Sequence, residues 1–376
     1  GCITAYLAGV RFNCFTAKSL SKDTALVAPL IVKAGPTALA HLQQHGLRSD
    51  DVSVLVGASG GPKWFCLFGI DQYLIGDFFK DRQQPLQLIG SSAGAWRFGC
   101  YGQVDAAAAS RRFCDAYRTL CYAKDASVAD ITATSATVMD AVFPTADHLQ
   151  QVIDNPIFRL NFIVAKSRRF NSGRSKAAQL GALTLTAAAN MVSRKSLGLF
   201  YQRYLFQHPM SATTASAAFS QVNDLPTQRV SLTVDNLKPA LLASGAIPLV
   251  IEPVRHIPGA GFGHFVDGGI TDYHFDWPFS KSGLVLYPHF YPDLTPGWFD
   301  KSLRWRRGKA KNQQNLVLLC PSEHWVKSLP FGKIPDRTDF STMSDDVRIA
   351  YWHEVTERSF ELAEALQNAN YRLKAL

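Results

Sequence analysis

A serine framed by small residues, Gly90-Ser91-Ser92-Ala93-Gly94, follows directly on the apolar run Pro85–Ile89. Such a run predicts a short buried strand, and a G-x-S-x-G frame behind it predicts a sharp strand-to-helix turn that lifts one hydroxyl clear of the sheet. Small neighbours belong there because the backbone crowds itself at the turn. Ser92 is therefore the candidate nucleophile. The same five residues also suit a plain surface turn, so the chemistry depends on what else the chain brings to that hydroxyl.

Upstream, the apolar run Val52–Val56 stops in Gly57-Ala58-Ser59-Gly60-Gly61-Pro62-Lys63, and Trp64-Phe65-Cys66-Leu67-Phe68 follows. A glycine-rich turn between a strand and a helix leaves backbone N–H groups converging on one spot beside the positive end of the helix dipole. It could cradle an oxyanion or a phosphate, although Lys63 does not follow the spacing of a nucleotide phosphate loop. Pro62 suits a first helical position and has no N–H to give. The amides of Gly60 and Gly61, with that of Ala93, become the expected donors. Downstream, His264-Phe265-Val266-Asp267-Gly268-Gly269-Ile270 ends a short apolar stretch in an acid followed by two glycines. An aspartate where a strand gives way to a glycine turn can approach another loop unobstructed, and partial burial would raise its pKa toward that of a useful general base. Asp-Gly-Gly is equally the sequence of a simple turn.

Together these segments describe an ester hydrolase. Attack by Ser92 Oγ on an ester carbonyl would give a tetrahedral oxyanion stabilised by the amides of Gly60, Gly61 and Ala93, each donor being worth about 3 kcal/mol. Asp267 would take the serine proton and later help a water release the acyl group. Lys63 would hold the loop or contact a lipid phosphate, or else serve as an ordinary helix-face lysine.

The three segments resemble those of the patatin-like phospholipases: a glycine-rich oxyanion loop with a basic residue, then a G-x-S-x-G serine, then a distant D-G-G aspartate. Here these are Gly60-Gly61-Pro62-Lys63, Gly90-Ser91-Ser92-Ala93-Gly94 and Asp267-Gly268-Gly269, in that family's order, and Ala243-Ser244-Gly245-Ala246-Ile247-Pro248 is similar to its helix end before the aspartate. Trp64 stands where the family commonly has glycine, and Pro62 where many members have a small residue with an N–H. The resemblance spans roughly residues 26 to 280, about the size of a compact catalytic domain. It implies a Ser92–Asp267 dyad without histidine, no cofactor and no metal. The implied substrate is a lipid ester, cleaved as by a phospholipase A or lysophospholipase.

Three rivals remain. A Ser-His-Asp hydrolase would need a late histidine, His324 or His353. A metal hydrolase could draw on His264, Asp267, Asp272, His274 and Asp276. A lipid-binding protein without activity could keep the same fold.

Composition narrows the classes. Of 376 residues, 47% are hydrophobic and 18% charged, which excludes a disordered chain. The seven cysteines, Cys2, Cys14, Cys66, Cys100, Cys114, Cys121 and Cys320, are odd in number and contain no C-x-x-C pair; they read as reduced thiols in a cytoplasmic protein. The net charge of +9 is concentrated at Lys166, Arg168, Arg169, Arg174 and Lys176 and at Arg304, Arg306, Arg307, Lys309 and Lys311. With Trp298, Phe299 and Trp305 these suit peripheral contact with an anionic membrane surface, or an ordinary solvated face. Nucleic acid is not expected, because no helix-turn-helix, RNP or zinc-finger pattern accompanies the charge. No apolar run reaches the roughly 18 residues of a membrane span. Gly1–Lys22 lacks a basic n-region and a clear cleavage site and reads as a poorly ordered extension rather than a signal peptide.

To position these groups the chain must alternate strands and helices. Strands are expected at Ala25–Lys33, Val52–Val56, Pro85–Ile89, Phe158–Ala165, Val230–Val234, Gly283–Tyr287 and Asn315–Leu319, and helices at Pro36–His45, Pro62–Phe79, Asp105–Tyr122, Ser175–Phe206 and Asp345–Leu366. The alternation predicts an α/β fold of three layers, a mainly parallel sheet with helices on both faces, and a site at the carboxyl ends of its strands. Residues 1–24 are expected as an N-terminal extension, 25–290 as the patatin-like catalytic domain and 291–376 as a C-terminal extension packed on it. Phe200, Tyr201, Tyr204, Leu205 and Phe206 could line an acyl-chain cleft or belong to the core.

Overall fold

In a computed structural model, which describes residues 28–168, 175–212, 219–279, 283–303 and 305–376, the apolar runs around the candidate site are the middle of one sheet. Its strands are β1 Leu30–Ala34, β2 Val52–Gly57, β3 Leu86–Ser91, β4 Phe158–Ser167, β5 Tyr201–Gln207, β6 Thr227–Ser231, β7 Val254–Ile257, β8 Gly261–Asp267, β9 Leu284–Pro288, β10 Leu316–Pro321 and β11 Tyr371–Ala375. The order is β11-β1-β10-β9-β2-β3-β4-β5-β6, with β8 on β4 and β7 on β8. From β10 to β4 every pairing is parallel; β1–β10, β4–β5, β4–β8 and β7–β8 are antiparallel. This is an α/β fold with a mainly parallel, mixed sheet flanked by helices. β2 and β3 bury all but one residue each, as expected of central strands covered on both faces.

The register on β4 positions the site. β3 pairs with β4 from Phe158 to Ile163, and β8 takes the same edge from Val164 to Ser167. The two strands approach from opposite directions, so Ser91 opposite Ile163 and Asp267 opposite Val164 come to adjacent places. The helix Ala93–Tyr101 that follows Ser92 is buried at every residue.

Several expected elements differ. The helix expected over Pro62–Phe79 is a 3-10 turn, Gly61–Leu67, then an α-helix, Phe68–Tyr73, then a π turn, Leu74–Phe78. The helix expected over Ser175–Phe206 stops at Val192, and its aromatic end is the strand β5, whose two faces are both covered. Thr233 caps a helix, Val234–Ser244, so the strand expected to reach Val234 ends at Ser231. Asp345–Leu366 is two helices divided at Ser359, whose hydroxyl accepts from the Gly69 amide at 2.7 Å. Residues beyond 290, expected as an extension packed on the domain, instead supply β10 and β11 to the same sheet. The extension expected over residues 1–24 lies outside the described residues.

Candidate functional site

Ser92 sits at the turn between β3 and the helix Ala93–Tyr101 with φ 53° and ψ −128°, a conformation that L residues rarely adopt. The crossing is tight enough that a Cβ on Gly94 would lie 2.4 Å from the Gly57 carbonyl oxygen, which explains the glycine there. The turn is held from outside. Ser92 N donates to Ser244 Oγ at 3.0 Å, and Ser244 Oγ donates to the Ile163 carbonyl at 2.7 Å. Ser244 ends the helix Val234–Ser244, so the segment singled out between Ala243 and Pro248 braces the serine. From the same segment the Ala246 carbonyl accepts from Asp267 N at 2.9 Å.

Ser92 Oγ donates to Asp267 Oδ2 at 2.8 Å, and both residues are buried, 4% and 6% exposed. The other carboxylate oxygen, Oδ1, accepts from the Gly269 amide at 2.7 Å. Gly268 allows the turn that makes this contact, since a Cβ there would sit 2.1 Å from the Ile163 carbonyl oxygen. Burial pushes the Asp267 pKa above the ordinary carboxylate value; Arg337, the Ser92 hydroxyl, the Gly269 amide and Lys301 oppose that shift.

The chain after Asp267 is clamped to the two glycine loops. Ser59 Oγ meets Ser91 Oγ at 2.5 Å, Ser91 Oγ donates to the Asp272 carbonyl at 2.7 Å, and Ser59 N donates to the Tyr273 carbonyl at 2.9 Å. The Asp272 carboxylate, which is fully buried, accepts from Arg203 at 2.7 and 2.8 Å and from Trp277 Nε1 at 2.8 Å.

Gly60, Lys63, Ser92 and Asp267 share the wall of a cavity of about 350 Å³. Gly61 and Ala93 are buried beside them in the chain. Among the described residues no acceptor meets the amides of Gly60, Gly61 or Ala93. These are the groups expected to face an oxyanion. Lys63 is half-buried, and loss of solvation lowers its pKa.

Sequence reasoning missed Lys301 and Arg337, which line the same cavity. Arg337 lies across the glycine loop: its Nε would be 2.9 Å from a Cβ on Gly61. Lys301 Nζ stands 4.4 Å from the centre of the Tyr273 ring and 5.4 Å from that of Trp298. No local pattern marks either residue, because the long chain excursion that returns them to the site is set by the sheet order alone.

The other singled-out residues are placed elsewhere. Neither His324 nor His353 lines this cavity; His353 Nδ1 is 2.7 Å from Arg118 on an exposed face. Among the described residues no three His, Cys, Asp or Glu side chains converge as a metal-binding group, and Asp272 is engaged by Arg203 and Trp277. Phe200, Tyr201, Tyr204, Leu205 and Phe206 are buried and none lines the cavity of Ser92; Tyr201 lines a second one of about 450 Å³, with which the first shares Pro248.

The basic clusters are partly internal. Lys166 Nζ lies over the rings of Tyr204 and Phe265, and Arg306 donates to the Asn190 carbonyl and to Asp300. Arg169, Arg174 and Arg304 lie outside the described residues. Trp305 is 70% exposed. Among the described residues no helix is long and apolar enough to cross a membrane. No protein-family model matches the chain, and no curated protein matches it in sequence.

Proposed function

We propose that this chain is a serine acyl hydrolase of the patatin-like phospholipase kind, cleaving carboxylic esters of lipids through a Ser92–Asp267 dyad. The observation that carries the proposal is the 2.8 Å hydrogen bond from Ser92 Oγ to Asp267 Oδ2 on the wall of a cavity, from a serine held at positive φ. In the proposed reaction Ser92 Oγ attacks the ester carbonyl carbon while its proton passes to Asp267. The amides of Gly60, Gly61 and Ala93 receive the negative charge that develops on the carbonyl oxygen. The C–O bond to the alcohol then breaks, Asp267 returns the proton to the departing oxygen, and the acyl group stays on Ser92. A water, deprotonated by Asp267, attacks the acyl carbon, and the fatty acid leaves as Ser92 regains its proton.

Two features support a lipid acyl group. The second cavity, of mixed lining, has an apolar side that includes Leu183, Ile251 and Val266 and shares Pro248 with the first, which offers an acyl chain a place to lie. The exposed indoles of Trp298 and Trp305 suit the boundary of a lipid surface, with the protein attached peripherally and working in the cytoplasm.

The test is turnover of phospholipids, lysophospholipids, triacylglycerols and p-nitrophenyl esters by the full chain, with Ser92→Ala and Asp267→Asn beside it. Each variant is expected to lose at least about 10³-fold in kcat while keeping its melting temperature within a few degrees. Undiminished turnover by either folded variant would remove its residue from the chemistry. Labelling by a fluorophosphonate probe in the wild type and not in Ser92→Ala separates an enzyme from a lipid binder of the same fold.

A further inference from the structure

Three cations reach the cavity of Ser92 from three separate parts of the chain. Lys63 comes from the turn behind the glycine loop, Lys301 from the turn after Trp298–Asp300, and Arg337 from the loop before the helix Asp339–Thr342. Two carboxylates share the wall and offset part of this charge, but each has its own hydrogen-bond partners and neither is ion-paired with any of the three. Asp267 accepts from Ser92 and Gly269; Asp336 accepts from Lys333 at 3.0 Å and from the Thr338 amide at 2.8 Å. Among the described residues none of the three cations belongs to an ion pair. At Lys301 their mutual repulsion adds to the effect of burial and is opposed by the charge of Asp267. Although the residue as a whole is exposed, desolvation of its ammonium, followed by the charges of Lys63 and Arg337, pushes its pKa down to about 8.

We propose that Lys63, Lys301 and Arg337 form a binding subsite for an oxyanion, the phosphate or carboxylate of an amphiphile whose acyl ester is presented to Ser92. Like charges gathered around one cavity repel one another in the free protein, and an entering anion relieves that repulsion. The ligand therefore gains from positive charge already gathered before it arrives. A neutral ester leaves the repulsion in place. The guanidinium of Arg337 offers a planar fork that matches an oxyanion's geometry, while the two ammonium groups act as point charges. Arg337 lies against Gly61, which puts the anion next to the loop expected to receive the carbonyl oxygen. The assignment of an ester substrate rests on the acyl-hydrolase reading above; the binding of an anion does not.

The test separates the two. Calorimetric titration of the full-length Ser92→Ala protein with dodecyl phosphate, below its micelle limit, is expected to show binding at least tenfold tighter than with neutral dodecyl maltoside. Lys301→Met/Arg337→Met in the same background is expected to weaken dodecyl phosphate at least tenfold, with Lys301→Arg retaining it. Equal binding of the two amphiphiles, or equal binding by the double variant, would overturn the subsite. Inorganic phosphate binding as tightly as dodecyl phosphate would assign the site to a free anion and overturn its role toward an ester; at least tenfold weaker binding supports the amphiphile. Wild-type turnover is read separately. Tight dodecyl phosphate binding with no hydrolysis of any ester would sink the acyl-hydrolase reading while leaving the anion subsite in place, whereas turnover with no preference for anionic esters would sink the substrate assignment.

Discussion

Ser92 pays a backbone cost, of order 1–3 kcal/mol for an L residue held in such a region, and it does so between two anchors: its amide on Ser244 and its hydroxyl on Asp267. A strained residue persists only where its surroundings over-determine it, and here both the strand before it and the helix after it are buried. Asp267 carries the complementary burden. Its burial favours the neutral acid, yet a base must be ionised to accept the serine proton. Facing it are the Ser92 hydroxyl, the Gly269 amide and the cations Arg337 and Lys301, all of which favour the anion without reversing the net upward shift. Activity should therefore fall as pH drops through a pKa above the usual ~3.9 of an aspartate. Arg337→Met removes a charge that lowers this pKa, so the acid limb of kcat/KM on neutral p-nitrophenyl butyrate should move to higher pH. A limb that stays in place or moves down would show that Arg337 does not act on Asp267.

Neighbouring places on one strand, rather than proximity in sequence, bring the serine and the aspartate together. β4 is ten residues long, and β3 and β8 divide one of its edges between them. The loop after β8 is fixed by a buried charge pair, Arg203 on Asp272, in which the carboxylate receives both prongs of the guanidinium and an indole N–H as well. Arg203→Met would take the two-pronged partner from that carboxylate, leaving it only Arg194 as a cation, at 3.5 Å, and would also break the pair of Arg203 with Asp224, at a cost of about 3–5 kcal/mol. Urea unfolding is expected to show a loss of that size; a loss below about 1 kcal/mol would mean that solvent or another cation takes over. The motifs were legible in sequence because each is local: the crowded turn needs glycines around Ser92, and the aspartate needs Gly268. β8's partner was not legible. His264 to Asp267 pairs with residues about a hundred positions earlier, and a strand's sequence specifies its faces far better than its neighbour. The end of the helix at Val192 was hidden for another reason. The aromatic residues of β5 fit a helix face and a covered strand equally well until the sheet around them is known.

At the scale of the whole chain, the last quarter belongs to the structure that makes the site. β1 reaches the rest of the sheet only through β10, since the order runs β11-β1-β10-β9. Every residue of β10 is buried. A chain ending at residue 290 would lose β10 and β11, separate β1 and the helix Pro36–His45 from the sheet, and expose the edge of β9, whose residues are buried along its whole length. Each large apolar side chain returned to water costs about 1.5–3 kcal/mol, and several do so at once, against a total stability of about 5–15 kcal/mol for a typical domain. The same truncation removes Lys301 and Arg337 from the cavity. The expected outcome for residues 28–290 is loss of the cooperative urea transition and of near-ultraviolet circular dichroism, with the unpaired β9 edge driving aggregation. A sharp transition with ester turnover retained would make residues 291–376 an accessory layer. The dyad would then owe its geometry to β3, β4 and β8 alone.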